Sequence, residues 1–185
     1  MGTVIGVRHD EDVTIAGDRR VSTEGQVSSN DQRHVFDVRG VGLAATGRPG
    51  DVRSFRDRLE DQLRTYEHRG AGTVHADVLE RMIGELTDTF DVGCLGAAPD
   101  DEGRPRLLRC GRDGGCTDER IASIGSGAAI AIGQLEAMDP DDVTASRIIE
   151  VFAVVAERDA GTNDRIDLWS MSSGLGTAED GEQKP

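Results

Sequence analysis

The sequence predicts an α+β protein: a four-layer αββα sandwich in which two antiparallel sheets lie face to face between two pairs of helices. Its apolar segments come in adjacent hairpin pairs and do not alternate singly with helices, which argues against a doubly wound parallel sheet. Two pairs of amphipathic helical segments separate the runs of strands. The 185 residues suffice for one domain with a full core, and we assign residues 1–173 to it.

The first half of the chain is predicted to contain two hairpins followed by two helices. In each hairpin, two short apolar runs flank a polar or glycine-containing turn. The first helical segment has apolar residues three and four apart, such as Phe55, Leu59 and Leu63, which places them on one face of a helix. The predicted elements are strands at 3–7, 13–17, 33–38 and 41–47, and helices from Gly50 to His68 and from Thr73 to Phe90.

The second half repeats the alternation of strand runs with a helix pair. A polar turn joins the first two strands, and a glycine-rich turn precedes the third. The C-terminal segment GLGTAEDGEQKP, residues 174–185, has no apolar pattern and is predicted to be a disordered acidic tail. The predicted elements are strands at 91–98, 105–110, 120–124 and 166–171, and helices at 128–138 and 144–158.

The composition excludes two classes of partner. The net charge is −14, and Lys184 is the only lysine among 21 basic residues. A surface this acidic repels nucleic acid and anionic membranes, so neither is expected as a partner. A dense carboxylate surface is typical of proteins adapted to high salt, and we favour that interpretation over a surface evolved for a basic partner.

The cysteines and histidines indicate no metal centre. Cys94, Cys110 and Cys116 are odd in number and lack CxxC spacing, so neither a disulfide framework nor a zinc site is predicted. We expect them to be small buried residues in a reducing compartment. The four histidines are scattered. Without a signal peptide or an apolar run of about 18 residues, a cytoplasmic location is expected.

Three polar motifs stand at strand or helix ends, and each also fits an ordinary structural role. AGDRR (16–20) places Asp18 at the end of a strand, where it either pairs with a neighbouring arginine or orients a cation. GSG (125–127) precedes a helix and either caps it or binds an anion. ERDAGTND (157–164) is a polar loop between a helix and a strand. GxGxxG is absent, so no dinucleotide or other cofactor is expected.

Taken together, the motifs resemble proteasome β-type subunits and the related bacterial peptidase HslV. The resemblance covers the chain up to about Met171, and it rests on AGDRR, RHVFDV…GLAATGRPGD, YEHR (66–69), IGSGAA and AERDAGTND in that order. It implies the N-terminal nucleophile hydrolase fold and a threonine-type endopeptidase of intracellular protein degradation. In that family the first residue of the mature chain, exposed by cutting a Gly–Thr bond, is a threonine. Its hydroxyl attacks the peptide carbonyl and its own α-amine acts as the base.

The resemblance also implies partners and site residues. Members form six- or seven-membered rings around a closed chamber, so self-association, α-type subunits, a regulatory ATPase and a peptide substrate are implied. Among the site residues, Asp18 matches the aspartate that supports a catalytic lysine, and Gly47 matches the glycine whose N–H faces the oxyanion. Ser126 and Asp159 match the pair around the nucleophile's amine, and Thr162 stands where a serine is usual.

Two positions depart from the family pattern. His34 stands in place of the catalytic lysine, and histidine has a shorter reach and is mostly neutral at pH 7. The adjacent Arg33 is not expected to replace it, because neighbouring strand residues point to opposite faces. Counting back four residues from Gly6, as in the TTTVG opening of the family, leads to Gly2 and not to Thr3. A slip of one residue turns a side chain to the other face of a strand unless a bulge absorbs it.

These departures leave alternative functions open. Gly2-Thr3 is either a minimal processing site that leaves Thr3 as the nucleophile, or the remnant of a site in which methionine removal leaves an inert glycine. The sequence therefore predicts a proteasome β-type subunit with a weakened active site, a catalytically inactive structural ring paralogue, or a stand-alone amidohydrolase on the same fold. With the lysine also missing, we favour a weakened or inactive site.

Overall fold

The computed structural model describes residues 2–23, 26–70, 72–139, 142–173 and 175–177, and it confirms the predicted α+β sandwich. The described residues form four helices: α1 (Pro49–His68), α2 (Ala76–Thr89), α3 (Ala128–Glu136) and α4 (Ala145–Arg158). Their strands are β1 (Thr3–Arg8), β2 (Asp12–Asp18), β3 (Val21–Thr23), β4 (Gln26–Ser29), β5 (Val35–Val38), β6 (Val41–Gly47), β7 (Val92–Pro99), β8 (Pro105–Cys110), β9 (Cys116–Asp118), β10 (Ile121–Gly125), β11 (Ile166–Ser172) and β12 (Leu175–Thr177).

Two antiparallel five-stranded sheets form the inner layers. The first sheet has the strand order β10-β1-β2-β11-β12, and the second has the order β5-β6-β7-β8-β9. In the first sheet, Thr3 lies opposite Gly125, and Asp18 lies opposite Ile166. Four strand termini therefore lie side by side at one end of this sheet: the starts of β1 and β11 and the ends of β2 and β10. The polar sequence motifs gather there.

Three hydrophobic clusters hold the four layers together. One cluster packs α1 and α2 on the second sheet, the next lies between the sheets, and the third packs α3 and α4 on the first sheet. Strand alternation divides the residues of β1 between two of these clusters: Val4 faces the other sheet, whereas Ile5 faces the helices. Both side chains are fully buried.

Trp169 joins the two sheets at one side of the sandwich. The only tryptophan of the chain, it is 2% exposed, and its Nε1 donates a hydrogen bond of 3.0 Å to Asp37 Oδ2 on β5. Gly42 on β6 leaves room for the indole, because a β-carbon there would lie 2.3 Å from the ring atom Cε3. The indole therefore reports on the packing between the sheets.

The short polar strands are the elements that the sequence did not predict. β3, β4 and β9 contain three or four residues each, too few to show an alternating pattern. β12 pairs with β11 inside the segment predicted to be a disordered tail; the other residues of that segment lie outside the described ranges. α2 begins at Ala76, three residues later than predicted.

The cysteine prediction was wrong for two of the three residues. Cys110 and Cys116 lie opposite each other on β8 and β9 with their α-carbons 4.1 Å apart, and they form a disulfide. Cys94 is a buried free thiol. A spacing of six residues is local enough for a hairpin to bring both sulfurs together, and the predicted glycine-rich turn lies between them. What the sequence did not show is the short strand β9 that follows this turn and pairs with β8.

Within the described residues, no group of three or more His, Cys, Asp or Glu side chains is arranged to hold a metal ion. No helix in the same part of the chain has the length and apolar character needed to cross a membrane.

Candidate active site

Asp18 is the centre of a polar cluster at the joint end of β1, β2, β10 and β11, which we call the strand-end cluster. Its side chain is fully buried at the end of β2. Oδ1 accepts a hydrogen bond of 2.6 Å from the backbone N–H of Thr3, and Oδ2 accepts bonds of 2.9 and 3.0 Å from the N–H groups of Asn163 and Arg20. The carboxylate thus ties the beginning of β1 to two loops.

Burial raises the pKa of Asp18, because the charged carboxylate is removed from water. The three backbone N–H groups and the nearby His34 act in the opposite direction and offset part of this rise. Asp18 therefore binds its proton more tightly in the folded protein than in water.

His34 occupies the position of the family's lysine and is 4% exposed. Its Nε2 lies 3.1 Å from the carbonyl oxygen of Arg20, and its Nδ1 lies 3.3 Å from that of Ala45. A neutral imidazole carries one N–H and satisfies one of these carbonyls, whereas the imidazolium donates to both. Arg33 points elsewhere, with its Nε 3.9 Å from Asp167 Oδ1.

Gly2 fills the space between Asp18 and His34 with backbone alone. A β-carbon on Gly2 would lie 2.3 Å from Asp18 Oδ1, 2.7 Å from His34 Nε2 and 2.8 Å from the Arg20 carbonyl oxygen. All three distances are shorter than non-bonded contacts in folded proteins. This position, which we call the position-2 seat, therefore has no room for a side chain as the structure stands.

Gly125 on the neighbouring strand allows Gly2 to lie there. It has a φ of +103°, and a β-carbon on it would be 1.9 Å from the Gly2 carbonyl oxygen. That same oxygen accepts a hydrogen bond of 3.3 Å from the Ser126 N–H. The first glycine of the GSG motif thus has a steric role that the sequence alone did not reveal.

Thr3 is fully buried and its hydroxyl belongs to a different hydrogen-bond network. Its Oγ1 accepts a bond of 2.9 Å from the Gly127 N–H and lies 2.6 Å from Thr162 Oγ1. Thr162 donates its own hydrogen to Asp159 Oδ2 over 2.6 Å, so the Thr3 hydroxyl donates to Thr162. The hydroxyl of Thr3 therefore has both a donor and an acceptor.

Asp159 ends this hydrogen-bond chain. Its Oδ2 also accepts a bond of 2.7 Å from Ser126 Oγ. Partial burial acts to raise the pKa of Asp159, but the hydrogen bonds from Thr162 and Ser126 outweigh it, and the pKa is lowered overall. The Asp159 carboxylate is thus ionised and serves as the acceptor for two hydroxyl groups.

The structure brings most of the predicted site residues into one connected cluster. Asp18 and His34 surround Gly2, whereas Ser126, Asp159 and Thr162 connect to Thr3. Gly47 ends β6 on the other sheet, opposite Val92, and its role as an oxyanion donor stays a prediction. Sequence reasoning missed the contributions of Gly125, Gly127 and Asn163, although all three belong to motifs it had singled out.

The fold defines the class of this protein, and its similarity to known proteins identifies the family. The two sheets between helix pairs are the N-terminal nucleophile hydrolase fold. A family model described as "Proteasome subunit" matches residues 1–171, so the chain belongs to the proteasome subunit family.

Two curated relatives are β subunits. The chain is 29% identical to "Proteasome subunit beta 2" of Korarchaeum cryptofilum over 184 residues, covering 94% of this chain and 92% of the relative. It is 26% identical to "Proteasome subunit beta 1" of Ignicoccus hospitalis over 187 residues, covering 93% and 91%. The likeness thus extends over nearly the full length of each protein.

Proposed function

We propose that this chain is a β-type proteasome subunit that contributes to a ring without a working threonine nucleophile of its own. The observation that carries the proposal is the position-2 seat, where a β-carbon would lie 2.3 Å from Asp18 Oδ1. The residue that faces Asp18 and His34 is a glycine, which has no hydroxyl to attack a peptide bond. This argument holds whatever precedes Gly2 in the chain.

Thr3 is a poor substitute because of where its hydroxyl points. The side chain is fully buried, and its Oγ1 is engaged with the Gly127 N–H and Thr162 Oγ1. Neighbouring residues on a strand face opposite sides, so Thr3 Oγ1 is turned away from the seat that Gly2 occupies. A substrate carbonyl would have to reach a hydroxyl that is closed off from solvent.

Cutting the Gly2–Thr3 bond would not supply a good base either. The new α-amine would replace the Thr3 backbone nitrogen, which lies 2.6 Å from Asp18 Oδ1. A carboxylate at that distance favours the protonated amine, and a protonated amine cannot accept the hydroxyl proton. His34 does not stand in for the lysine at the Thr3 hydroxyl either, since its two ring nitrogens face the carbonyl oxygens of Arg20 and Ala45.

Proteasome subunits assemble into multi-subunit rings, and we propose that this chain acts there through its surfaces. Its partners would be further copies or active β-type subunits, with α-type subunits and a regulatory ATPase completing a cytoplasmic, peptide-degrading particle. The net charge of −14 fits a particle that works at high salt, where carboxylate repulsion is screened. Size-exclusion chromatography in molar salt tests the assembly, and a purely monomeric chain there would count against the ring.

Covalent labelling tests the missing nucleophile. The purified chain is first weighed by intact mass spectrometry to establish its first residue, and then treated with a threonine-directed covalent proteasome inhibitor. We expect no adduct and no peptide hydrolysis by the chain alone. An adduct on Thr3 that disappears in Thr3→Val would show that Thr3 is the nucleophile and would overturn the proposal.

A pair of double variants tests whether the missing hydroxyl or the closed seat removes activity. The first, Gly2→Thr with His34→Lys, brings a hydroxyl and a cation to the position-2 seat, and the second, Gly2→Ala with His34→Lys, adds a β-carbon without the hydroxyl. In both variants a β-carbon on residue 2 would still lie 2.3 Å from Asp18 Oδ1 and 2.8 Å from the Arg20 carbonyl oxygen, so we expect the inhibitor to label neither. Labelling of the first variant alone would show that the seat can open and that the missing hydroxyl is what removes activity.

A further inference from the structure

The three cysteines lie in one row across the second sheet. Cys94 on β7 is the register partner of Cys110 on β8, which is in turn the partner of Cys116 on β9. All three belong to the cluster that packs against α1 and α2. The disulfide joins the last two members of the row.

The two cysteines of the disulfide differ in exposure. Cys110 is 1% exposed, whereas Cys116 is half-buried and lines a surface cleft of about 420 Å³ beside α2. Gly84 also lines the cleft, and the Cys116 sulfur lies 3.8 Å from the place that a β-carbon on Gly84 would take. Cys116 lines this cleft whereas Cys110 does not, so a small molecule in the cleft meets Cys116 and not Cys110.

We propose that Cys116 is a modification site at which low-molecular-weight thiols form a mixed disulfide. A thiolate attacks Cys116 Sγ, a bond forms between the two sulfurs, and the Cys110–Cys116 bond breaks. The electron pair leaves with Cys110, which takes up a proton and becomes the resolving thiol. Its return attack on Cys116 expels the small thiol and restores the original disulfide, so no external oxidant is needed.

Cys94 does not compete with this exchange. It is fully buried, and burial raises the pKa of its thiol. The thiolate is the reactive form, so Cys94 stays protonated and inert beside Cys110. In this row Cys116 is the accessible cysteine, Cys110 is the resolving cysteine, and Cys94 takes no part in the exchange.

The lining of the cleft selects among thiols by charge. Its ionisable residues are three carboxylates and one guanidinium: Asp77, Glu80, Glu85 and Arg81. This excess of negative charge repels an anionic thiol such as glutathione and attracts a cationic one such as cysteamine. At equal thiolate concentration, we expect low salt to raise the rate of cysteamine relative to that of glutathione roughly tenfold over the ratio in molar salt, with neutral 2-mercaptoethanol between them. Molar salt screens the charges and leaves only the differences in intrinsic nucleophilicity among the three thiolates.

Peptide mapping after an acid quench tests the proposal on the oxidised full-length chain. The expected adduct is on Cys116 for each thiol, with the salt dependence stated above. Glu80→Gln should narrow the gap between cysteamine and glutathione, whereas Glu60→Gln on α1 should leave it unchanged. Cys94→Ala should leave the rates as they are.

Three results would overturn the proposal. One is an adduct on Cys110 or Cys94 in place of Cys116. A second is a ratio of the cysteamine rate to the glutathione rate that is the same at low and at molar salt. The third is the absence of the Cys110–Cys116 disulfide from non-reducing peptide maps of aerobically purified protein. None of these outcomes bears on the position-2 seat, so the two proposals are tested separately.

Discussion

Replacing Gly2 by alanine tests the steric basis of the position-2 seat. The added β-carbon would lie 2.3 Å from Asp18 Oδ1 and 2.7 Å from His34 Nε2. Overpacking of this kind costs about 1–3 kcal/mol. The clash is removed if residues 2 and 3 move away from Asp18. The destabilisation is then limited to the free energy of the hydrogen bonds lost, again about 1–3 kcal/mol.

A smaller, favourable contribution opposes this cost. Alanine has fewer conformations than glycine in the unfolded chain, which stabilises the folded state by about 0.4–1 kcal/mol. We therefore expect Gly2→Ala to lower the free energy of unfolding by about 1–2 kcal/mol. In a chain of this size each kcal/mol corresponds to a fall in Tm of roughly 2–4 °C.

Gly133→Ala is the matched control, because it makes the same chemical change in open space. Gly133 lies inside α3, is exposed, and has no atom within 4 Å of its added β-carbon. Helix propensity predicts that this variant gains about 0.5–1 kcal/mol. The two glycine-to-alanine changes should thus have opposite signs.

Urea denaturation followed by the fluorescence of Trp169 measures both variants. The indole is 2% exposed, so its emission changes when the sheets separate. Intact mass must first show that the Gly2→Ala chain retains residue 2. A Gly2→Ala variant as stable as the original chain, or more stable, would refute the steric argument for the seat.

Three further predictions concern charge and packing. Because burial raises the pKa of Asp18 above its ordinary 3.8, the folded chain binds that proton more tightly than the unfolded chain. The stabilisation that comes from this tighter proton binding is complete below pH 3.8 and is lost as the pH rises through the raised pKa of Asp18 in the folded chain. Asp18→Asn should remove this pH dependence from denaturation curves. Gly42→Ala should lower the free energy of unfolding by about 3 kcal/mol or more. It should also shift the fluorescence emission of Trp169, because the new β-carbon would lie 2.3 Å from the indole atom Cε3; unchanged emission would contradict this. With a net charge of −14, the denaturation midpoint should rise between low and molar KCl, and a flat response would count against salt adaptation.

Local periodicity predicted most of the fold. The stripe of Phe55, Leu59 and Leu63 is the buried face of α1, and the alternation along β1 divides Val4 and Ile5 between two clusters. Such patterns depend on a backbone period of two or 3.6 residues, which the sequence carries directly. A strand of only three residues, such as β9, is too short to show a period, and only its pairing with a neighbour reveals it.

The candidate site was predictable in its members but not in its geometry. AGDRR placed Asp18 at a strand end, and the count back from Gly6 already put Gly2 in the nucleophile's place. Whether that place had room for a side chain depends on Asp18 and His34, which are 16 and 32 residues further along the chain. No local pattern records contacts of that range.

By itself, the sequence determined the layers of this protein, the family it resembles and the residues that gather at the end of β1. The tertiary structure decided that Gly2 lies against Asp18, that the Thr3 hydroxyl joins Thr162 and Asp159, and that Cys110 bonds to Cys116. The physical reason is the same in each case. Backbone periods are properties of consecutive residues, whereas steric fit, hydrogen bonding and sulfur pairing arise only where distant strands and loops are packed together.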